Sequence, residues 1–289
     1  MPICKGKNNT ISNFRQLSFW ILFLIFAGYL VLSLYRIKEC QMTEDEFFSI
    51  NIAQRSLGQI WSLKPHPNVF YFNSSPPMYE TLLHFVWHFS HESLFWARAL
   101  SVALNAAALF MIFLISRLLF GRKAALMATA LASFNYAYLL FSKMIRCYSF
   151  LNFLGLASFY IFFKMAKSRI ADNKSLVFLL FINTAILYTF YFGGFVIILE
   201  GLLCGLFFPR KTLVKIWAFL FGSFALFLPW LGHFLENISK EPAFHLSLRE
   251  PGKFLDVFFA RLQNGIFHST GLFIFYSCVC LLFFVGEIP

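Results

Sequence analysis

The sequence predicts an all-α polytopic membrane protein, and three observations predict it. Hydrophobic residues make up 59% of the 289 positions and charged residues only 13%, where soluble domains usually carry ~25% charged residues. Mean hydropathy is +0.69, and 42 residues are phenylalanine. Apolar segments recur at 18–35, 95–116, 124–142, 148–163, 176–191, 194–208, 216–232 and 266–285. About eight transmembrane helices are therefore expected, in one transmembrane domain spanning 1–289. Segments 148–163, 176–191 and 194–208 lie near or just under the ~17 residues that a full crossing needs.

The net charge of +11 raises nucleic acid as a partner, but its distribution gives it another role. With a cytoplasmic tail at 1–17, the inner side receives 13 of the 24 basic residues, among them Arg117, Arg122, Lys123, Lys174 and Lys211, against the single acid Asp172. The other 11 face ten acids on the outer side. That asymmetry is the positive-inside pattern of a membrane protein. It orients the chain, and no nucleic-acid partner is expected.

The first apolar segment, SFWILFLIFAGYLVLSLY, follows a basic tail. It is longer than the core of a signal peptide, and no small-residue cleavage site follows it. It reads as an uncleaved anchor with the N-terminus inside. Residues 36–93 then form a large first outer loop. At its start stand Glu44, Asp45 and Glu46, the last two being the one Asp-Glu pair in the chain. The apolar residues Phe47, Phe48, Ile50, Ile52, Ala53 and Leu57 after them predict a short helix lying at the membrane interface. Thr43 and Glu46 have the spacing of a capping box. The cap accounts for Glu46 without chemistry, and glutamine there could still close it. It does not account for Asp45.

Pro76-Pro77 precedes a predicted helix from Met78, with Pro77 suited to its first position. His84, His88 and His91 follow at spacings of four and three and are candidate ligands for a divalent metal; they read equally well as the polar side of an interfacial helix. Arg98 stands at the mouth of the second span, and RLLFGRK with Gly121 makes an inner turn. Lys143, Arg146 and Tyr148 close the third span, level with the large loop, where cations could hold a phosphate or reach for lipid headgroups. Glu200 is the acid placed mid-span, and intramembrane acids are costly and often functional. Gly193, Gly194, Gly201 and Gly205 around it suggest close helix packing, which makes a buried structural hydrogen bond equally consistent. Residues 233–265 form a second outer loop. Six cysteines show no metal spacing; Cys40 and Cys147 share the outer side, as a disulfide or as free thiols. Sequons occur at Asn73 and Asn237.

Taken together, these features have a recognisable order. An N-in anchor leads to an outer loop with Asp-Glu near its start, then Pro-Pro-Met-Tyr, Arg98 with Ser101 three residues on, the basic turn LFGRKAAL, and Arg146-Cys147-Tyr148. Over about residues 18–165 the chain resembles the GT-C glycosyltransferases of the family 39 type, the protein O-mannosyltransferases and aminoarabinose transferases. The resemblance implies a GT-C-like fold and transfer of a sugar from a polyprenyl-phosphate donor to a glycan, lipid or protein acceptor. It implies Asp45, with Glu46 beside it, as the catalytic carboxylate, and Arg98, Arg146 and Tyr148 around the donor phosphate. It implies a bacterial inner membrane location and a role in envelope glycan or lipopolysaccharide modification. Ser75 stands where relatives often carry His or Lys before Pro-Pro, and the chain is shorter than the usual family length. A transporter or flippase using Glu200, or a truncated non-catalytic paralogue, is the alternative.

Overall fold

The computed structural model describes residues 5–62 and 76–240. The predicted span 266–285, the 241–265 part of the second outer loop and the Asn73 sequon lie outside the described residues. All regular structure among the described residues is helical: α1 (Lys5–Leu34), α2 (Glu44–Ala53), α3 (Leu57–Ile60), α4 (Pro77–Phe89), α5 (Leu94–Phe120), α6 (Arg122–Ser133), α7 (Tyr136–Ser142), α8 (Tyr148–Ser168), α9 (Asn173–Leu187), α10 (Gly194–Phe207) and α11 (Arg210–Lys240).

Among the described residues four helices are long and apolar enough to cross a membrane: Gln16–Glu39, Leu94–Phe120, Tyr148–Ser168 and Arg210–Gly232. Counting the bent pair α6–α7 as one span brings the number to five. Seven of the eight expected spans fall among the described residues, and two of those seven are too short to cross. Segments 176–191 and 194–208 become α9 and α10, of 15 and 14 residues. At ~1.5 Å per residue each falls well short of a ~30 Å hydrocarbon layer. Segment 148–163, the other short one, extends by a turn at its C-terminal end into the 21-residue α8.

Helix α8 is the axis of the bundle, with 56% of its apolar window buried, against 22% for the windows of α1 and α11. Phe159, Phe162 and Met165 of α8 form a core with Leu176 and Leu179 of α9, Leu203 and Cys204 of α10, and Ile216 and Leu220 of α11. The exposed sides of α1 and α11 carry Phe19, Leu24, Val31, Phe221 and Leu228, as lipid-facing helices do.

Two close approaches depend on glycine. A Cβ on Gly193 would lie 2.3 Å from Cγ2 of Ile186 and 3.2 Å from its carbonyl oxygen. Gly121, between α5 and α6, has φ 85°, where a side chain is strained.

The segment 122–142 breaks at Phe134–Asn135 and turns by 65°. The Asn135 side chain caps α7 by accepting from Tyr138 N. Asn105 of α5 donates to the Tyr138 carbonyl at 3.1 Å, while the Tyr138 hydroxyl donates to the Asn105 carbonyl at 2.8 Å. The N–H freed at the start of α7 thus finds a side-chain partner, and the two carbonyls tie α7 to α5. The segment still runs from one end of the bundle to the other. Its start adjoins the end of α5 at Gly121, while Lys143, just past its finish, donates to the Tyr35 carbonyl at the end of α1. That second end is also where Arg98, near the start of α5, reaches Ile37.

Candidate functional site

At the end of the bundle where α1 finishes and α5 and α8 begin, α2 and α4 pack together over the turn 143–147. Their shared core is Ile50, Ala53, Tyr79, Leu83, Trp87, Ala97, Ile145 and Cys147. The period of α4 explains it: Tyr79, Leu83 and Trp87 repeat every four residues and face inward. The two helices therefore dock as a layer on the bundle, and their first turns bring the acids of 44–46 onto the turn that carries Arg146.

Glu46 is the fastening of this layer. It is 2% exposed and completes the predicted capping box: Thr43 Oγ1 accepts from Glu46 N at 3.3 Å, and Glu46 Oε2 accepts from Thr43 N at 3.0 Å. Its other oxygen, Oε1, accepts from the Ile145 backbone at 3.0 Å and lies 3.6 Å from Arg98 Nε. Arg98 is equally buried, 2% exposed, and donates from Nη1 to the Ile37 carbonyl at 2.7 Å. One carboxylate thus joins the cap of α2, the turn 143–147, α5 and the exit of α1. Glu46 and Arg98 hold the layer to the bundle, with Arg98 Nε left without a hydrogen bond among the described residues.

Asp45 and Arg146 are placed differently. The Asp45 side chain is 58% exposed and its Oδ2 lies 3.9 Å from Arg146 Nε. Arg146 Nη1 donates to the Asp45 carbonyl and to Ser49 Oγ, both at 3.3 Å. Its guanidinium sits 5.8 Å from the centre of the Tyr148 ring, which holds it flat on one side. An exposed carboxylate and a held cation side by side can accept a proton and receive a developing negative charge.

Beneath them lies Glu80, in the first turn of α4. It is 2% exposed, and its Oε2 has no hydrogen-bond partner among the described residues. Burial pushes its carboxyl up to about 7, with a backbone hydrogen bond and Arg146 acting the other way. Burial likewise pushes the Cys147 thiol up to about 12. The signal for Glu80 was present: with Leu83 and Trp87 it falls at i, i+3 and i+7, on the inward stripe of α4.

The histidines do not share one helix face. His84 Nδ1 is 2.8 Å from the Ala53 carbonyl, and its ring stands edge-on to His88 with centroids 4.3 Å apart. Helix α4 ends at Phe89, and His91 lies beyond it with φ 52°. Among the described residues no group of three or more His, Cys, Asp or Glu side chains is arranged to hold a metal ion. No chemical step is assigned to a metal. Cys40 and Cys147 are both free thiols.

Glu200, fully buried on α10, makes a closed set of contacts. Ser158 Oγ lies 2.6 Å from Glu200 Oε1 and 2.7 Å from Asn183 Oδ1, and Asn183 Nδ2 donates to Glu200 Oε2 at 2.8 Å. One hydroxyl proton cannot serve two acceptors, so the ring closes when the carboxyl supplies a proton of its own. Glu200 then links α8, α9 and α10 with every polar atom paired.

Comparison of the chain with protein-family models, with curated proteins and with solved structures gives no match.

Proposed function

We propose that the chain is a membrane glycosyltransferase that moves a sugar from a polyprenyl-phosphate donor to an acceptor hydroxyl at the outer face of a bacterial inner membrane, in envelope glycan or lipopolysaccharide modification. The observation that carries the reading is the pairing of exposed Asp45 with Arg146 at one end of the bundle, 3.9 Å apart. In this reading the acceptor oxygen attacks the anomeric carbon and its proton passes to Asp45. The bond from that carbon to the phosphate oxygen breaks, and the lipid phosphate leaves toward Arg146. Tyr148 keeps Arg146 in place, while Glu46 and Arg98 hold the α2 layer. The basic ends of α5, α6, α8, α9 and α11 face the cytoplasm, and the layer of α2 and α4 belongs to a large outer loop.

Purified protein incubated with radiolabelled polyprenyl-phosphate sugars, with and without divalent cations, tests the reading. Asp45→Asn is expected to lower transfer ~10²–10⁴-fold, the usual cost of a lost general base. Transfer at the wild-type rate by Asp45→Asn would sink the assignment. The transport reading has less support: Glu200, its coupling carboxyl, is enclosed by Ser158 and Asn183 and is fully buried.

A further inference from the structure

Glu80 is a buried ionisable group that the proposed transfer does not use. Its Oε2 is without a hydrogen bond, and so is Arg146 Nε, which is also buried. Each group acts electrostatically on the other. The Tyr79 and Ser101 hydroxyls lie beside each other next to this pair. Buried polar atoms in native proteins are nearly always paired, so such a group calls for a reason. Arg146 thus stands between two acids of unlike setting. Asp45 is 58% exposed and its charge is screened by water, whereas Glu80 has no such screen.

We propose that Glu80 is a positioning residue that sets the strength of the anion site on Arg146. With Glu80 neutral, Arg146 is offset only by screened Asp45 and retains positive potential for a phosphate. With Glu80 ionised, an unscreened negative charge cancels that potential. This inference rests on the reading of Arg146 as the phosphate-receiving cation. Among the described residues the charged and titratable groups around Glu80 are these. Helix α2 contributes Asp45 and Glu46, the latter bound to Arg98 of α5; the turn contributes Arg146 and Cys147, and α4 itself contributes Tyr79. Burial holds the thiol and the phenol in their neutral forms at neutral pH, leaving Glu80 as the group of this set whose carboxyl is pushed up to about 7. The sign follows: below that value Glu80 is neutral and the anion binds tightly, and above it binding weakens. By linkage, an anion binding near pH 7 draws a proton onto Glu80.

The test uses the full chain in phosphatidylcholine nanodiscs and dihexyl phosphate, a phosphodiester whose single charge is constant through the range studied. Its Kd is measured calorimetrically from pH 5.5 to 8.5 for wild type, Glu80→Gln and Arg146→Gln. The wild-type Kd is expected to rise about tenfold across that range, as one nearby charge in a protein interior can produce. Glu80→Gln should stay flat at the tight level. A flat wild-type profile, or the same slope in Glu80→Gln, overturns the role of Glu80 while leaving the phosphate site standing. If Glu80→Gln does not fold, proton uptake by the wild type decides: binding heats at pH 7 in buffers of different ionisation enthalpy should show uptake of a fraction of a proton, and none overturns the proposal. Binding that is absent at every pH, or that Arg146→Gln does not weaken, refutes the phosphate site itself and the role of Glu80 with it.

Discussion

Replacing Glu46 by glutamine tests the account of how the α2 layer is held. From the capping box alone the change looks mild, because an amide oxygen can still accept from Thr43 N. The folded protein makes it severe. Oε1 faces the Ile145 N–H and Oε2 faces the Thr43 N–H, at 3.0 Å each. An amide has one acceptor to offer, so whichever way it turns, an NH₂ group meets a backbone donor. A buried donor left unpaired costs about 1–3 kcal/mol. The larger loss is at Arg98, which is 2% exposed and has Glu46 as its carboxylate partner. Removing one member of a buried ion pair typically costs about 3–5 kcal/mol, because the other charge stays behind unpaired. Glu46→Gln should therefore destabilise the protein by about 3–5 kcal/mol. The assay is unfolding of the purified protein in mixed micelles, followed by tryptophan fluorescence. Arg98→Met and the double variant complete a cycle, and the double variant should be more stable than the sum of the single effects by about 1–3 kcal/mol. A loss under about 1 kcal/mol for Glu46→Gln, or a strictly additive double variant, would refute the reasoning.

Two further outcomes follow from the packing of the bundle. Glu200→Gln presents an NH₂ to Ser158 and an oxygen to Asn183, so the three-bond ring survives and stability in the same assay should change by under about 1 kcal/mol, whereas Glu200→Leu leaves the Asn183 amide nitrogen without an acceptor and should cost about 1–3 kcal/mol. Full loss of function in a stable Glu200→Gln protein would instead favour the transport reading. Gly193→Ala drives a methyl to within 2.3 Å of Ile186 and should cost about 1–3 kcal/mol, the usual range for overpacking; an unchanged unfolding midpoint would contradict that contact.

The parts of the fold that were legible in the sequence are those fixed by local chemistry. The capping box at Thr43–Glu46 and the helix start at Pro77 depend on residues within one turn, and both form. The meeting of Asp45 and Arg146 was readable because topology alone puts the first loop and the end of the third span on one side. What escaped reading depends on neighbours distant in the chain. Nothing local distinguishes Arg98, turned inward onto Ile37 and Glu46, from an arginine facing a ligand. Hydropathy reports apolarity and not helix length, so α9 and α10 looked like spans while their helices have only 15 and 14 residues. The break at Phe134–Asn135 carried one clue, an asparagine able to cap, but its acceptance depends on Asn105, 33 residues from Tyr138.

That break has a consequence for how the protein is made. Helix α7 has seven residues, too few to partition into lipid by their own hydrophobicity, and α6 begins with Arg122-Lys123 and carries Thr129 and Ser133. Only together are α6 and α7 long and apolar enough to cross, and helical hydrogen bonding lapses between them. Asn105, which takes up the Tyr138 carbonyl, lies on α5, already synthesised and in place when α7 emerges. Chain order thus makes the long helix α5, with Asn105, available before the broken segment whose Tyr138 it pairs.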